Sequence, residues 1–144
     1  MAGELTGVEA LLARLRAQSA QVQAVTPFAV TQAALWVEAA AKRLLSLSSH
    51  REGTPTPAPP GTPPSIVSGD LRRSIGVRDP AQRGQYQYSI TVGPSIVYGR
   101  IQELGGIAGH GATLPARPYM APAWKALEGR IAELFAKDWR DALD

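Results

Sequence analysis

The side chains of this 144-residue chain that can do chemistry are few and scattered. Glu103 stands two residues before Gly105, and Asp70 follows Gly69 in the run GDLRRSI. A buried carboxylate can act as a general base with a second as its acid partner. Two isolated carboxylates with no cleft between them are more often residues of turns and salt bridges. His50 and His110 are widely separated and lack a clustered acidic or sulfur ligand set, so no metal is inferred. The sequence contains no cysteine, which removes disulfides, thiolate catalysis and cysteine zinc sites. GDLRRS and GPS are not the glycine-flanked nucleophile elbow. GGIAGHGAT is not a phosphate loop, because no Lys-Ser or Lys-Thr pair follows it. The expectation is a protein that is not an enzyme and needs no cofactor.

Arg117, in ARPYMAP, has a more specific setting. Its rigid fork of donors can tie a carboxylate or a carbonyl across the loop while Tyr119 and Met120 insert beside the next helix. Tyr98 and Glu103 are expected to put an aromatic ring in the core and a carboxylate at the base of the glycine loop. An approach of Glu103 to Arg117 would make a charge-assisted link.

The elements that must position these residues are readable in outline. Thr6 and Glu9 have capping-box spacing, and Val8, Leu11, Leu12 and Leu15 recur at helical spacing, which predicts a helix over about 7–24. Thr26 before Pro27 marks a second start, with apolar content continuing to about residue 47. Either two helices meet at a sharp bend or one helix is kinked. Trp36 is expected to be a packing anchor among alanines. Residues 48–68 contain REGTPTPAPPGTPP, whose prolines predict an extended, exposed loop. Ser68, Gly69 and Asp70 turn the chain into Leu71–Val77, with Asp79 and Pro80 as a stop. QYQYSITV, residues 85–92, alternates with a period of two and is the cleanest strand signal, Arg83 and Gly84 lying in the hairpin connection. Ile96–Glu103 reads as a strand or short helix, the following glycines as a mobile or tightly turned excursion. A last helix starts near Pro122, with Trp124, Leu127, Ile131, Leu134, Phe135 and Trp139 along its apolar side. The fold class expected is α+β, an antiparallel sheet flanked by N-terminal helical segments and a C-terminal helix.

The formal charge is +3. Arg72, Arg73, Arg78, Arg83 and Arg100 face only Asp70 and Asp79 over residues 66–100, a surface suited to nucleic acid, an acidic neighbouring subunit or plain solvent. No continuous apolar run of about 18 residues argues for a membrane span, and the N-terminus lacks the order of a secretory signal.

Taken in order, three motifs resemble the HK97 gp10-like family of tailed-phage tail-completion or head–tail neck proteins. Ser68, Gly69, Leu71, Arg72, Ser74 and Ile75 match a turn before a Leu-Arg-x-Ser-Ile segment. Tyr98, Glu103 and Gly105 match a following Tyr, Glu, Gly series. Arg117, Pro118, Tyr119 and Met120 match an Arg-Pro-aromatic-hydrophobic run before a helix. The resemblance covers most of residues 27–130. It implies one neck-like domain over 1–144, repeated as a ring, taken as hexameric, around a channel through which genomic DNA passes without sequence recognition. It further implies partners among other neck or connector proteins and tail-terminator or tail-tube proteins, and a place in the virion neck after assembly in the host cytoplasm. The five arginines would then serve subunit contacts or the channel. Asp70 in the SGDL turn and the GGIAGHGATLPA excursion depart from the family pattern. A tail terminator is the nearest other reading, and a nucleic-acid-binding accessory protein is one of a different class.

Overall fold

The computed structural model describes residues 7–54 and 58–144. Helix α1, Val8–Leu44, is a single element of 37 residues, about 55 Å long. Of the two arrangements open at Thr26 and Pro27, one helix rather than two is found, and it ends at Leu44 rather than near 47. Pro27 removes one amide from the ladder, which costs about 3 kcal/mol in a helix interior. The Thr26 hydroxyl, expected to cap a second helix, instead donates back to the Val22 carbonyl at 2.7 Å, and Thr31 donates to the Pro27 carbonyl at 2.7 Å. Packing offsets the loss, because Ala29, Ala33, Ala34, Val37 and Ala41 are all buried. Lys42 and Arg43 in the last turn complement the negative end of the helix dipole. Thr6 of the expected capping box lies outside the described residues, and Gly7, with φ of 97°, precedes the helix.

The chain then crosses the proline-rich segment, which is more anchored than an exposed loop. Ser49 and Ile66 form a bridge, and Ala58 and Pro64 are buried. The turn expected at Ser68 to Asp70 leads into a short helix, α2 (Asp70–Ser74), before the chain becomes extended at Ile75. The Ser74 hydroxyl closes it by donating to the Leu71 carbonyl at 2.7 Å. Strands β1 (Ile75–Gly84) and β2 (Gln87–Pro94) form an antiparallel hairpin. Asp79 and Pro80 do not stop β1. They form a bulge between Arg78 and Ala81, with Asp79 at φ of 53°, a conformation that Asp tolerates better than most residues. Tyr86 falls in the turn and is exposed, so the second strand begins two residues later than the alternation suggests.

Helix α3 (Gly99–Leu104) resolves the open choice at 96–103, and β3 (Gly106–Ile107) with β4 (Thr113–Leu114) makes the glycine excursion a tight hairpin. Helix α4 (Met120–Leu143) closes the fold. It runs antiparallel to α1. Ala41 clusters with Ala123, Ala33 and Val37 with Ile131, and the Trp139 indole N–H donates to the Thr26 hydroxyl at 3.1 Å. Alanines on α1 let the two helices approach closely. Trp36 is half-buried in the second cluster, with the Arg130 guanidinium 4.0 Å from its ring centroid. The core therefore has two parts. One joins Ala41, Leu45, Ile75, Tyr119 and Ala123, and the other joins Ala33, Val37 and Ile131. Trp124 and Trp139, expected on the packed side of α4, are both substantially exposed. The α+β fold, with its long N-terminal helix, small antiparallel sheets and C-terminal helix, is as the sequence indicates.

Two glycines make opposite predictions. A Cβ on Gly99 would lie 2.5 Å from Pro94 Cγ and 3.3 Å from the Tyr119 hydroxyl, whereas one on Gly129 would meet nothing within 4 Å. Gly99→Ala is expected to destabilise by about 1–3 kcal/mol through overpacking. Gly129→Ala should stabilise α4 by about 0.5–1 kcal/mol. Urea midpoints of the two variants against the parent read both effects, and a Gly99→Ala midpoint equal to the parent's would contradict the packing described.

Candidate functional site

Three of the motif segments meet at the start of α4. Its first amides have no partner within the helix, and the N-cap residue, Tyr119, offers no side-chain cap. The carboxylate of Glu103, carried in on α3, supplies one. Its Oε2 accepts from the amides of Tyr119 at 2.7 Å and Met120 at 2.9 Å, and its Oε1 accepts from the amide of Ala121 at 2.9 Å. An anion at the positive end of a 24-residue helix is also favoured by the helix dipole. With both oxygens engaged by amides, this carboxylate holds a helix and does not stand open to a cleft.

The contact requires α3 and the chain before α4 to lie side by side. The Arg117 amide donates to the Gln102 carbonyl at 2.7 Å. Gly105 turns the chain away at φ of 70°, and a Cβ there would meet Ala116 N at 2.8 Å and Leu114 O at 2.9 Å. The Glu-x-Gly spacing thus has a mechanical reason, since the carboxylate and the turn serve one junction.

Tyr119 is the aromatic residue of the core, fully buried, and its hydroxyl donates to the Gly99 carbonyl at 3.0 Å. Tyr98, expected to fill that place, is 45% exposed. The helical phase of α3 places Gly99 against Pro94 and Tyr119, so its neighbour Tyr98 turns outward beside Gln102 and Arg72 along a cleft. Burial holds the Tyr119 phenol well above its ordinary value of 10.0, and the nearby Glu103 carboxylate, then Tyr98, add to the effect.

Arg117 and Glu103 do not pair. Arg117 is 7% exposed, and its Nε donates to the Ala58 carbonyl at 2.7 Å. Of the two acceptors expected for it, the carbonyl is the one used. The Gly61 amide donates to the Ala116 carbonyl at 2.9 Å beside it, so the proline segment is pinned to the chain entering α4. Pro118 is half-buried between these contacts, and Met120 packs against both parts of the core. The SGDLRRSI residues enter the same core through Leu71 and Ile75. Nothing in the sequence marks Ala58 as the acceptor, and the proline run conceals it.

The five arginines divide. Arg78 Nη2 donates to the carbonyls of Gly93 at 2.8 Å and Pro94 at 2.9 Å, which staples the hairpin. Arg73 pairs with Asp70, and Arg83 Nε donates to the Ser89 hydroxyl at 3.1 Å. Arg72 and Arg100 are exposed and form no ion pair among the described residues. Hydrogen bonds from Ser68 and then Arg73 hold the Asp70 carboxyl below its ordinary 3.8. His50 contacts its neighbour's carbonyl at Arg51 O, and His110 is exposed in the β3–β4 turn. Among the described residues no three His, Asp or Glu side chains gather as a metal site would need.

An open apolar groove of about 570 Å³ lies beside β2, between α1 and α4. Val30, Ala34, Ile90, Val92, Trp124 and Phe135 are among its walls. The strand's alternation announces one wall, but the gap between helices has no signature in the sequence.

Comparison of the chain with protein-family models, with curated proteins and with solved structures gave no match.

Two substitutions probe the junction. Glu103→Ala leaves three amides at the start of α4 without their acceptor and is expected to cost about 2 kcal/mol or more, with Glu103→Gln costing less because one oxygen remains. Tyr119→Phe is expected to cost about 1 kcal/mol at neutral pH by orphaning the Gly99 carbonyl. Above pH 10 the unfolded chain gives up the Tyr119 proton that the folded chain keeps, so stability falls as pH rises, by up to about 1.4 kcal/mol per unit. Tyr119→Phe should lose that component, which chemical denaturation at pH 7 and at pH 11 measures. An unchanged alkaline slope would mean that the phenol is not held protonated.

Proposed function

We propose that this chain is a structural subunit of a long-tailed phage neck that completes the head-proximal end of the tail and helps join it to the capsid around a DNA channel. The observation that supports the reading is the convergence of the three family-like motifs on one mechanical junction. Glu103 of the second motif accepts from the amides of Tyr119 and Met120 of the third, Gly105 lies against Leu114 to Ala116 just before that motif, and Leu71 and Ile75 of the first pack into the core that holds Tyr119. Residues matched to the family by order alone therefore share one structural task.

The task is rigidity. A neck subunit transmits load between two large assemblies and needs a fixed angle between its long helices and its sheet. Repeated contacts between identical subunits then turn a modest protomer interface into a closed joint. Among the described residues, the exposed Arg72 and Arg100 are the two of the five arginines with neither an ion pair nor a side-chain hydrogen bond, and they are available to line a channel or meet an acidic neighbour. A DNA channel needs positive potential without base recognition, which such arginines supply.

The test compares two variants in an assembly that joins separately made heads and tails. Arg117→Ala removes the tie to Ala58 and is expected to cost about 1–3 kcal/mol of stability, with a lower yield of joined particles. Lys125→Ala, on the exposed face of α4, should change neither. Equal joining by both variants would count against the role, and joining that never requires the protein would remove the proposal.

A further inference from the structure

Among the described residues, the N-terminal third of α1 contributes no side chain to either part of the core. The Trp139 to Thr26 hydrogen bond lies close to the end of α4 at Leu143, whereas α1 continues from Thr26 back to Val8, about 27 Å of helix. This arm carries Val8, Leu11, Leu12 and Leu15 on one face, with Leu11 57% and Leu15 52% exposed. The exposed ring of Tyr86, at the hairpin turn, borders the same surface. An isolated helical segment this short is marginal in water, so its apolar face calls for a cover.

We propose that the arm of one copy docks in the groove beside β2 of a second copy of this chain. The stripe has the i, i+3, i+4, i+7 spacing by which a helix seats its side chains in an apolar groove. The groove, at about 570 Å³, is of a size to take several such side chains. The charges agree as well. By helical spacing Arg14 and Arg16 flank the stripe on opposite sides, while Glu128 shares the face of α4 that carries Trp124, Ile131 and Phe135. None of these three charged groups is ion-paired among the described residues. The arm cannot reach its own groove, because Leu15 and Val30 are separated by about 22 Å of the same continuous helix. Being free of a packed layer, the arm enters a neighbour's groove without carrying another helix into α4.

The contact is head-to-tail. Each copy gives an arm and receives one, which builds a ring if the rotation closes and a filament if it does not. The contact is argued from the arm and groove alone, and only the identification of its ring with a phage neck rests on the function proposed above.

Four variants of the full chain test it by sedimentation velocity across concentration, each first shown to melt cooperatively. The arm variant Leu11→Asp/Leu15→Asp and the groove variant Trp124→Glu should each weaken self-association at least ~100-fold. Mixing those two should restore one contact, giving a 1:1 heterodimer that grows no further. Arg14→Glu/Arg16→Glu should weaken association, and adding Glu128→Arg to the same chain should recover it. A groove variant that still self-associates like the parent would overturn the proposal in favour of arm-to-arm pairing. A parent chain monomeric at every concentration would also overturn it, while leaving the neck reading to the joining assay. Closed rings that persist in both single-site classes would overturn this contact and leave the neck reading supported.

Discussion

Three backbone amides of one helix end converge on a single carboxylate, and the rest of the fold is arranged so that this contact can form. Helix α4 begins with no side chain of its own able to satisfy its first amides, so the acceptor must come from elsewhere in the chain. Glu103 can reach only if α3 lies against the segment entering α4, and that closeness has a steric condition at each end of α3. Gly99 admits Pro94 and the Tyr119 hydroxyl, and Gly105 admits the backbone of Leu114 to Ala116. Any side chain at either position would push the carboxylate away from the amides it holds. The charge and the two absent side chains are therefore one device.

The junction also explains how a chain with small sheets stays together. A two-stranded hairpin is marginal by itself and needs a packed face. Here β1 enters the core at Ile75 and β2 at Val92, both against α1 and the start of α4. The helix that receives them is rich in alanine where it meets α4, which brings the two axes close but buries little area per residue. Tyr119 compensates, a large ring at the meeting point of α1, β1 and α3, with its hydroxyl satisfied by a carbonyl of the glycine that makes room for it. Arg117 extends the same logic to the proline segment, where one guanidinium bond and one amide bond replace the ladder that proline forbids.

What was legible in the sequence follows from the range over which each signal acts. The period-two alternation around Tyr88, Ile90 and Val92 and the helical stripe of α4 are local and named their elements. The importance of Glu103, Gly105, Arg117 and Tyr119 was legible as a pattern, but their partners were not. Carboxylate and guanidinium suggest each other, whereas in the fold one binds amides and the other a carbonyl. Local signals also misled where tertiary packing outweighed them. Thr26-Pro27 reads as a helix start, yet with Ala29 to Ala41 buried one helix continues through it. Asp79-Pro80 reads as a stop, yet the strand absorbs both residues as a bulge. Tyr98 was expected inside because it is aromatic. One residue of helical phase gives that place to the backbone of Gly99 and the ring of Tyr119.

The molecule is unequally finished along its length. At the α3 to α4 junction nearly every polar group is matched, and among the described residues no buried side-chain polar atom lacks a hydrogen-bond partner. At the far end, α1 runs past its packing partner with leucines in solvent, and a groove of apolar side chains stands open between the helices. Exposed apolar stripes of this kind are seldom kept by a chain that acts alone, since they lower solubility and add nothing to its own stability. A chain that is rigid at one end and unsatisfied at the other gains stability when a neighbour covers the second, and that gain grows with concentration. If a neighbour covers the arm, part of the association free energy is also folding free energy. The Glu103 junction holds α3 against the start of α4, beside Ala41 of α1, so the contact on which the fold depends stands at the opposite end of the helix pair from the exposed arm.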